Sequence, residues 1–363
     1  AILVALALGI GGYVVSKRLQ IGDLDPGAPE LRANSRYNVD NAFITSSYAL
    51  SSDVFAVIVK TPPEQCMQYA TLQQADRLSW QLQQLPEVQA TVSLADSVKQ
   101  VTAGTYEGSA KWYTLSRNQE ILNYGGQQAI QNTPDLSNVE CSVIPVVAYL
   151  KDHRAATLDK VSATVERFVA DNKTAGVELL PAAGAAGIEA AVNQEVRTAW
   201  LKMLAYIYGT VAILCLIAFR SWRAVLVALL PLALTSVLCE ALMVVLGIGV
   251  KVATLPVIAL GVGIGVDYAL YLLSVQLHGQ RMGMPLPEAY RAALAFTGRI
   301  VALVGLTLAA GVITWAWSPI KFQADMGILL AFMFLWNMLG ALILIPALSY
   351  FLLPTSAVRK VSA

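Results

Sequence analysis

The stretch GVGIGVDYALYLL, residues 261–273, decides how this chain is read. It sits inside an apolar run covering about 252–277 and carries a single carboxylate, Asp267. A helix needs roughly 20 consecutive apolar residues to cross a bilayer, so the run reads as a membrane span with an acid near its middle. At that depth a carboxylate costs about 2.5–3.5 kcal/mol even on the lenient insertion scale. Such an acid is kept for a reason. Removal from water favours the neutral form of an acid, and a carboxyl held near its switching point can load and release a proton. The structural alternative is a carboxyl that hydrogen-bonds a neighbouring helix.

Helical spacing sorts the neighbours. Gly261 and Gly265 form a small-xxx-small pair that lets another helix approach closely. Gly263 lies one turn before Asp267 on its face, and Leu270, Tyr271 and Ser274 continue that side. Tyr268 is about 100° round the helix from Asp267, so its hydroxyl is a candidate for the same polar cluster. A dinucleotide loop is excluded, because the spacing is G-x-G-x-G and no strand–helix unit surrounds it.

Working outward, 56% of the 363 residues are hydrophobic and only 13% charged, with a mean hydropathy of +0.58. That balance belongs to an integral membrane protein. A net charge of +1 gives no support for nucleic-acid binding. Two His and four Cys make a multi-ligand zinc site a poor reading. The motifs GxxxxGK[ST], HExxH and GxSxG are absent, which leaves an ATP-driven engine or a hydrolase without sequence support.

Apolar segments at about 201–219, 224–248, 252–277, 300–317 and 327–353 follow a polar stretch, and AILVALALGIGGYVV opens the chain. Together they predict six spans, the first truncated at its start and ending near residue 18. The opening run has no basic n-region, so it is read as the outer part of a helix and the chain as a fragment or one half of something longer. The alternative is six buried helices of a large soluble protein. Arg220 and Arg223 lie between spans 2 and 3, and Arg281, Arg291 and Arg299 between spans 4 and 5. Arg359 and Lys360 follow span 6 in a tail at 355–363. The short loops opposite hold only Lys251 and Lys321. The positive-inside rule therefore places the arginine-rich loops, and an amphipathic helix at about 284–299, in the cytoplasm. Residues 19–198 fall outside, where Lys17 and Arg18 carry little weight because they border a long translocated domain. Residues 199–354 form the bundle of spans 2 to 6.

In the outer domain, DVFAVIVK (53–60), EVQATVSLA (87–95), ECSVIPVVAYL (140–150) and GVELLPAA (176–183) read as strands. Pro145 suggests a bulge or an edge in the third. Residues 64–85 and 158–172 read as amphipathic helices, the first with Met67, Leu72, Leu78, Leu82 and Leu85 near helical spacing. Residues 96–138 read as an irregular insertion with short helices. The order β-α-β-(insert)-β-α-β is the ferredoxin-like pattern. In such a sheet the first and third strands are neighbours. That puts Cys66, just past the first strand, beside Cys141, at the start of the third. A disulfide or two unpaired buried thiols both fit, and Cα atoms more than about 7 Å apart would exclude the bridge.

The fold class expected is an α-helical membrane protein with an α+β outer domain: six transmembrane helices, with a ferredoxin-like domain between the first and second, which the family resemblance that follows implies to be of porter type. Thr307 near the middle of span 5 and Asn337 in span 6 are candidates for a polar network with Asp267, or for ordinary helix packing. Glu240 in span 3 is a second intramembrane acid near the outer surface, placed to snorkel or to line the route by which substrate enters.

These features together resemble one half of a resistance–nodulation–division (RND) transporter, in its MmpL-like and hopanoid-transporter-like bacterial branch. The resemblance rests on GVGIGVDYALYLL in the fourth span and on FRSWRAVLVALLPL (219–232) at the second cytoplasmic turn. PLPEAYRAALAFTGRIV (285–301) leads into span 5 in the same way, and IGDLDPGAPELRANSRYN (21–38) looks like the start of a C-terminal half. The resemblance implies proton-driven export of hydrophobic or amphiphilic, lipid-like substrates across a bacterial inner membrane, with the outer domain in the periplasm. It implies no enzyme activity and no cofactor beyond protons as the coupling ion. It assigns Asp267 and Tyr268 to the proton relay, with Thr307 as the matching residue of the fifth span. Asn337, Ser274 and Glu240 are weaker candidates. Such proteins have twelve spans, so the expected partner is the other six-span half or a second copy. The helix facing the Gly-rich segment is then expected to lie outside this chain. A sterol-sensing-domain-like lipid sensor and a SecD/SecF-like translocation accessory remain the alternatives.

Overall fold

The computed structural model describes residues 1–48 and 51–353; the tail with Arg359 and Lys360 lies outside the described residues. The protein is mostly helical, and it divides into two units. One contains residues 1–24, 29–32 and 195–363; the other contains 25–28 and 33–194.

The α+β unit opens with α2 (Arg36–Ser47), whose N-cap Ser35 accepts a hydrogen bond from the Asn38 N–H. Strand β1 (Val54–Lys60) leads to α3 (Tyr69–Gln83), β2 (Val88–Ser93), α4 (Leu94–Thr105) and α5 (Gln119–Asn132). Strand β3 (Val143–Leu150), α6 (Ala155–Asp171) and β4 (Glu178–Ala183) follow. The sheet order is β2-β3-β1-β4, and every pairing is antiparallel. Ile144, Val146, Ala148 and Leu150 alternate onto one buried face of β3, as the period of two requires. They meet Leu72, Leu78 and Leu82 of α3 and Leu158, Val161, Val165 and Phe168 of α6 in one core.

Pro145 is not at a bulge of β1 and β3, whose register runs unbroken past it with Ile58 opposite. β3 is an interior strand, but Val146 is the last β3 residue paired with β2. At Pro145 the strand therefore has an edge on that side, where no N–H is required. The first helix starts at Tyr69 rather than near 64. Residues 61–66 form a turn held beside the start of β3 instead, with the Thr61, Glu64 and Cys66 N–H groups donating to the Ser142, Glu140 and Cys141 carbonyls. Cys66 and Cys141 are joined by a disulfide, with Cα atoms 5.0 Å apart. The bridge closes a sequence separation of 75 residues, for which the chain-entropy model gives a stabilisation of about 4 kcal/mol. The Cys66→Ser, Cys141→Ser double variant is expected to unfold at clearly lower denaturant, and reductant should shift the wild type equally. Wild type that is insensitive to reductant would contradict this. Gly184, which follows β4, sits at φ +76, where an added Cβ would meet the Val54 carbonyl oxygen at 2.6 Å.

The membrane unit holds α1 (Ile2–Ser16), most of α7 (Gly184–Phe219), α8 (Trp222–Leu246) and α9 (Leu255–Arg281). Helix α10 (Leu286–Ala293) passes through a π-turn at Leu294–Gly298 into α11 (Arg299–Ile313). Helix α12 (Lys321–Leu339) passes through a second π-turn, Gly340–Leu344, into α13 (Ile345–Leu352). Among the described residues, five helical stretches are long and apolar enough to cross a membrane: Gly184–Phe219, Trp222–Leu246, Leu255–Arg281, Leu286–Trp317 and Lys321–Leu352. Their outward residues, such as Ile213, Ile217, Leu303 and Leu306, are large, apolar and exposed, a surface suited to lipid. α1 is apolar but only 15 residues long. It packs on α8 through Gly12, where an added Cβ would lie 3.1 Å from Leu238 and 3.3 Å from Val237.

Candidate functional site

Helix α9 forms because its 27 residues are bounded by Thr254 and Pro256 at one end and a basic turn with His278 and Arg281 at the other. Its two sides differ sharply. Val257, Ile258, Gly261, Val262, Gly265, Tyr268, Ala269, Leu272, Leu273, Gln276 and Gln280 are buried. Leu260, Gly263, Asp267, Tyr271, Ser274 and His278 are exposed, spaced three or four apart as one helical stripe. Asp267 is the only acid of α9 and has no hydrogen-bond partner among the described residues. Tyr271 and His278 add a hydroxyl and an imidazole to its stripe. Spacing alone predicts Tyr271 there, and the spacing of His278 from Asp267 and Ser274 carries the same signal.

The Gly261/Gly265 pair is used inside this chain, which corrects the expectation that its facing helix lies elsewhere. A Cβ on Gly261 would fall 2.4 Å from the Met333 sulfur, and one on Gly265 would fall 2.4 Å from Asn337 Nδ2 and 2.6 Å from Leu232. Helices α8 and α12 therefore pack on those glycines. Asn337 is buried and donates from Nδ2 to the Gly261 carbonyl at 2.8 Å. That contact ties α12 to α9. Gly263 faces the other way, with nothing within 4 Å of an added Cβ.

Tyr268 and Asp267 are not brought together by their side chains. Tyr268 is 1% exposed and its hydroxyl is buried in the bundle without a partner among the described residues, whereas Asp267 is on the open stripe. Ser274 donates to its own helix, at the Leu270 carbonyl, 2.6 Å away. Thr307 lies on an exposed face of α11 and donates to the Leu303 carbonyl at 2.8 Å, leaving its oxygen free to accept from outside. Helix α12 packs against both α9 and α11, and Thr307 has no contact with Asp267 among the described side-chain hydrogen bonds. Glu240 is half-buried on α8 beside the Ser16 hydroxyl of α1. Near it the Tyr208 hydroxyl and Ser236 hydroxyl are 2.7 Å apart.

The two basic residues of the opposite short loops are neutralised locally. Lys251 Nζ lies 2.6 Å from Asp23, and Lys321 Nζ lies 2.8 Å from Asp325. No group of three or more His, Cys, Asp or Glu is placed to hold a metal among the described residues.

Comparison with known proteins gives an MMPL family model that matches residues 51–359. A protein of Methanocaldococcus jannaschii named as a membrane protein is 28% identical over 138 residues, which cover 38% of this chain and 36% of that protein. A protein of Streptomyces coelicolor, also named as a membrane protein, is 39% identical over 90 residues, covering 24% of this chain and 13% of its own. The matched part thus spans about a third or less of the curated relatives' length.

Proposed function

From the premise that this chain belongs to the MMPL family of membrane proteins, we propose that it is one half of a proton-driven RND-type exporter. Its substrates are hydrophobic or amphiphilic, lipid-like molecules. The observation that carries this reading is Asp267, an acid on the open stripe of an otherwise lipid-compatible helix, with Thr307 on a separate open face. An ionisable group at that depth needs partners. A second six-span half, or a second copy of the chain, supplies them by covering these faces. The relay then forms between halves and includes Asp267 and Thr307. Tyr268, Asn337, Ser274 and Glu240 have supporting parts: Tyr268 and Asn337 inside the bundle, Ser274 and Glu240 on its flanks.

In this reading α1 is the outer part of a sixth span. The sheet order β2-β3-β1-β4 supports a ferredoxin-like porter domain at about 19–198. The arginines at 220, 223, 281, 291 and 299, against ion-paired Lys251 and Lys321, support a cytoplasmic inner face and a periplasmic outer domain in a bacterial inner membrane. Proton movement drives the work, so no further cofactor and no enzymatic step is required. The alternatives are a sterol-sensing lipid sensor and a SecD/SecF-like accessory; a second Gly-rich Asp-Tyr span in the full-length protein would favour the exporter over the accessory.

The test uses the full-length protein in proteoliposomes with an imposed pH gradient and a fluorescent amphiphile. Movement of the amphiphile should follow the gradient and stop with a protonophore. Gradient-independent lipid binding without movement would favour the sensor and overturn the exporter reading.

A further inference from the structure

The arginines of the arginine-rich side are not alike. Arg281 donates to the Phe219 carbonyl at 2.8 Å, and the Arg223 guanidinium lies over the Trp222 ring, 5.7 Å from its centroid. Arg291 and Arg299 are exposed, and neither guanidinium has a hydrogen bond, carboxylate or ring partner among the described residues, although Glu288 is only three residues from Arg291. Both line one cleft of about 410 Å³, a volume typical of ligand sites. The rest of the cleft is apolar, formed by Leu294, Ala295 and Ala302 with Leu342 from the π-turn of α12 and α13. The Tyr290 hydroxyl donates to the Leu342 carbonyl at 2.7 Å and holds the two sides of the cleft together.

The π-turn at Leu294–Gly298 explains why two arginines eight residues apart share one cleft. In an unbroken α-helix eight steps of about 100° would leave Arg299 about 80° round from Arg291. A π-turn inserts one residue, so the pair is spaced as if seven steps apart. Seven steps come to about 700°, which returns Arg299 to within about 20° of Arg291. The inserted residue thus aligns two like charges on one face, where nothing in the chain neutralises them.

The cleft lies at headgroup depth. Arg299 is 18 residues from Trp317, and Leu342 is 21 residues from Lys321, these being the far ends of their apolar stretches (317 − 299 and 342 − 321). At 1.5 Å per residue the distances are about 27 and 32 Å, against a hydrocarbon core of about 30 Å. Leu303 and Leu306, four and seven residues on from Arg299, continue its side of α11 toward the hydrocarbon and are exposed. The guanidinium fork matches phosphate oxygens, and the apolar walls match a glycerol backbone and acyl chain rather than a free ion. We propose that this cleft binds one anionic phospholipid, with its phosphodiester between Arg291 and Arg299 and an acyl chain along Leu303 and Leu306. The lipid neutralises both cations and clips α10 to α11 across the π-turn. It belongs to the leaflet on the arginine-rich side, which is the inner one in the orientation proposed above; the site itself does not rest on the exporter reading.

Native mass spectrometry of the full-length protein, released from phosphatidylcholine nanodiscs containing a minor share of phosphatidylglycerol, counts the retained lipid by class. The wild type should keep phosphatidylglycerol, and Arg291→Gln and Arg299→Gln should each weaken its apparent affinity by about tenfold or more, the scale of a hydrogen bond to a charged group. Arg223→Gln removes the same charge from the same side and should leave retention unchanged. Ala295→Phe fills the cleft with both arginines in place and should also lose the lipid, which keeps the test open where an arginine variant folds poorly. An equal loss in Arg223→Gln would show attraction to surface charge alone and overturn the proposal, as would full retention in Ala295→Phe. Release of the lipid by inorganic phosphate would overturn it in favour of a soluble phosphate ion. Asp267→Asn should retain phosphatidylglycerol as the wild type does, so failure of the proton relay and failure of the lipid site are read separately.

Discussion

Gly265→Val should leave little stably folded protein in the membrane. The first added carbon already falls 2.4 Å from Asn337 Nδ2, 2.6 Å from its Cγ and 2.6 Å from Leu232 Cδ2. Two further methyl groups have nowhere to go unless α12 or α8 moves. Overpacking of a tight interior costs about 3 kcal/mol at the upper end of its usual range. Moving α12 also strains the Asn337 to Gly261 hydrogen bond. Native stabilities are about 5–15 kcal/mol, so a loss of this size should show as a much lower folded yield and melting point by fluorescence-detected chromatography. Gly263→Val is the control, two residues away on the open stripe with no atom within 4 Å of an added Cβ. In this chain alone it should be nearly neutral. In the full-length protein it should impair coupling, because the proposed other half covers that stripe. Equal stability of the two variants in this chain would show that α12 does not hold α9 as described.

The second large effect belongs to Asp267. If it carries the coupling proton, Asp267→Asn should keep the fold, since the side chain is on the open stripe and holds no hydrogen bond. It should nevertheless lower gradient-driven transport by about 100-fold or more, the scale on which positioned proton-transfer groups act. Asp267→Glu retains the carboxyl and should recover part of the rate. A role limited to helix packing predicts a different order, with Asn tolerated as well as Glu.

Much of this architecture is legible in the sequence because lipid imposes a simple rule. Long apolar runs with few charges have little alternative to membrane helices, and the five membrane-capable helices fall where the composition places them. The strand–helix order of the α+β unit is legible for a similar reason, since alternation and helical spacing each mark a buried face. Shorter polar elements are harder. Helix α2 has no buried residue, and only the Ser35 N-cap hints at its start. Helices α4 and α5 were expected only as unspecified short helices, since each buries only a narrow apolar strip in a polar stretch.

The candidate site divides along the same line. Spacing puts Gly263, Asp267, Tyr271 and Ser274 on one side, and the exposed stripe of α9 contains all four. Spacing does not say what lies opposite a face. The small side of Gly261 and Gly265 was legible, but that α12 fills it through Met333 and Asn337 was not. Nor was the separation of Tyr268 from Asp267, because 100° of rotation is compatible with either side of a helix until its neighbours are known. The burial of the polar side chains Gln276, Gln280 and Ser349 is not legible either, because scattered neutral polar residues in apolar runs carry no motif.

Asp267 is proposed to carry the coupling proton. The most direct test of this is proton counting in proteoliposomes of the full-length protein, with a pH-sensitive dye in the lumen and amphiphile added to start turnover. The account predicts a luminal pH change in step with substrate movement for the wild type, a partial change for Asp267→Glu and none for Asp267→Asn. A proton flux in Asp267→Asn equal to that of the wild type would contradict it.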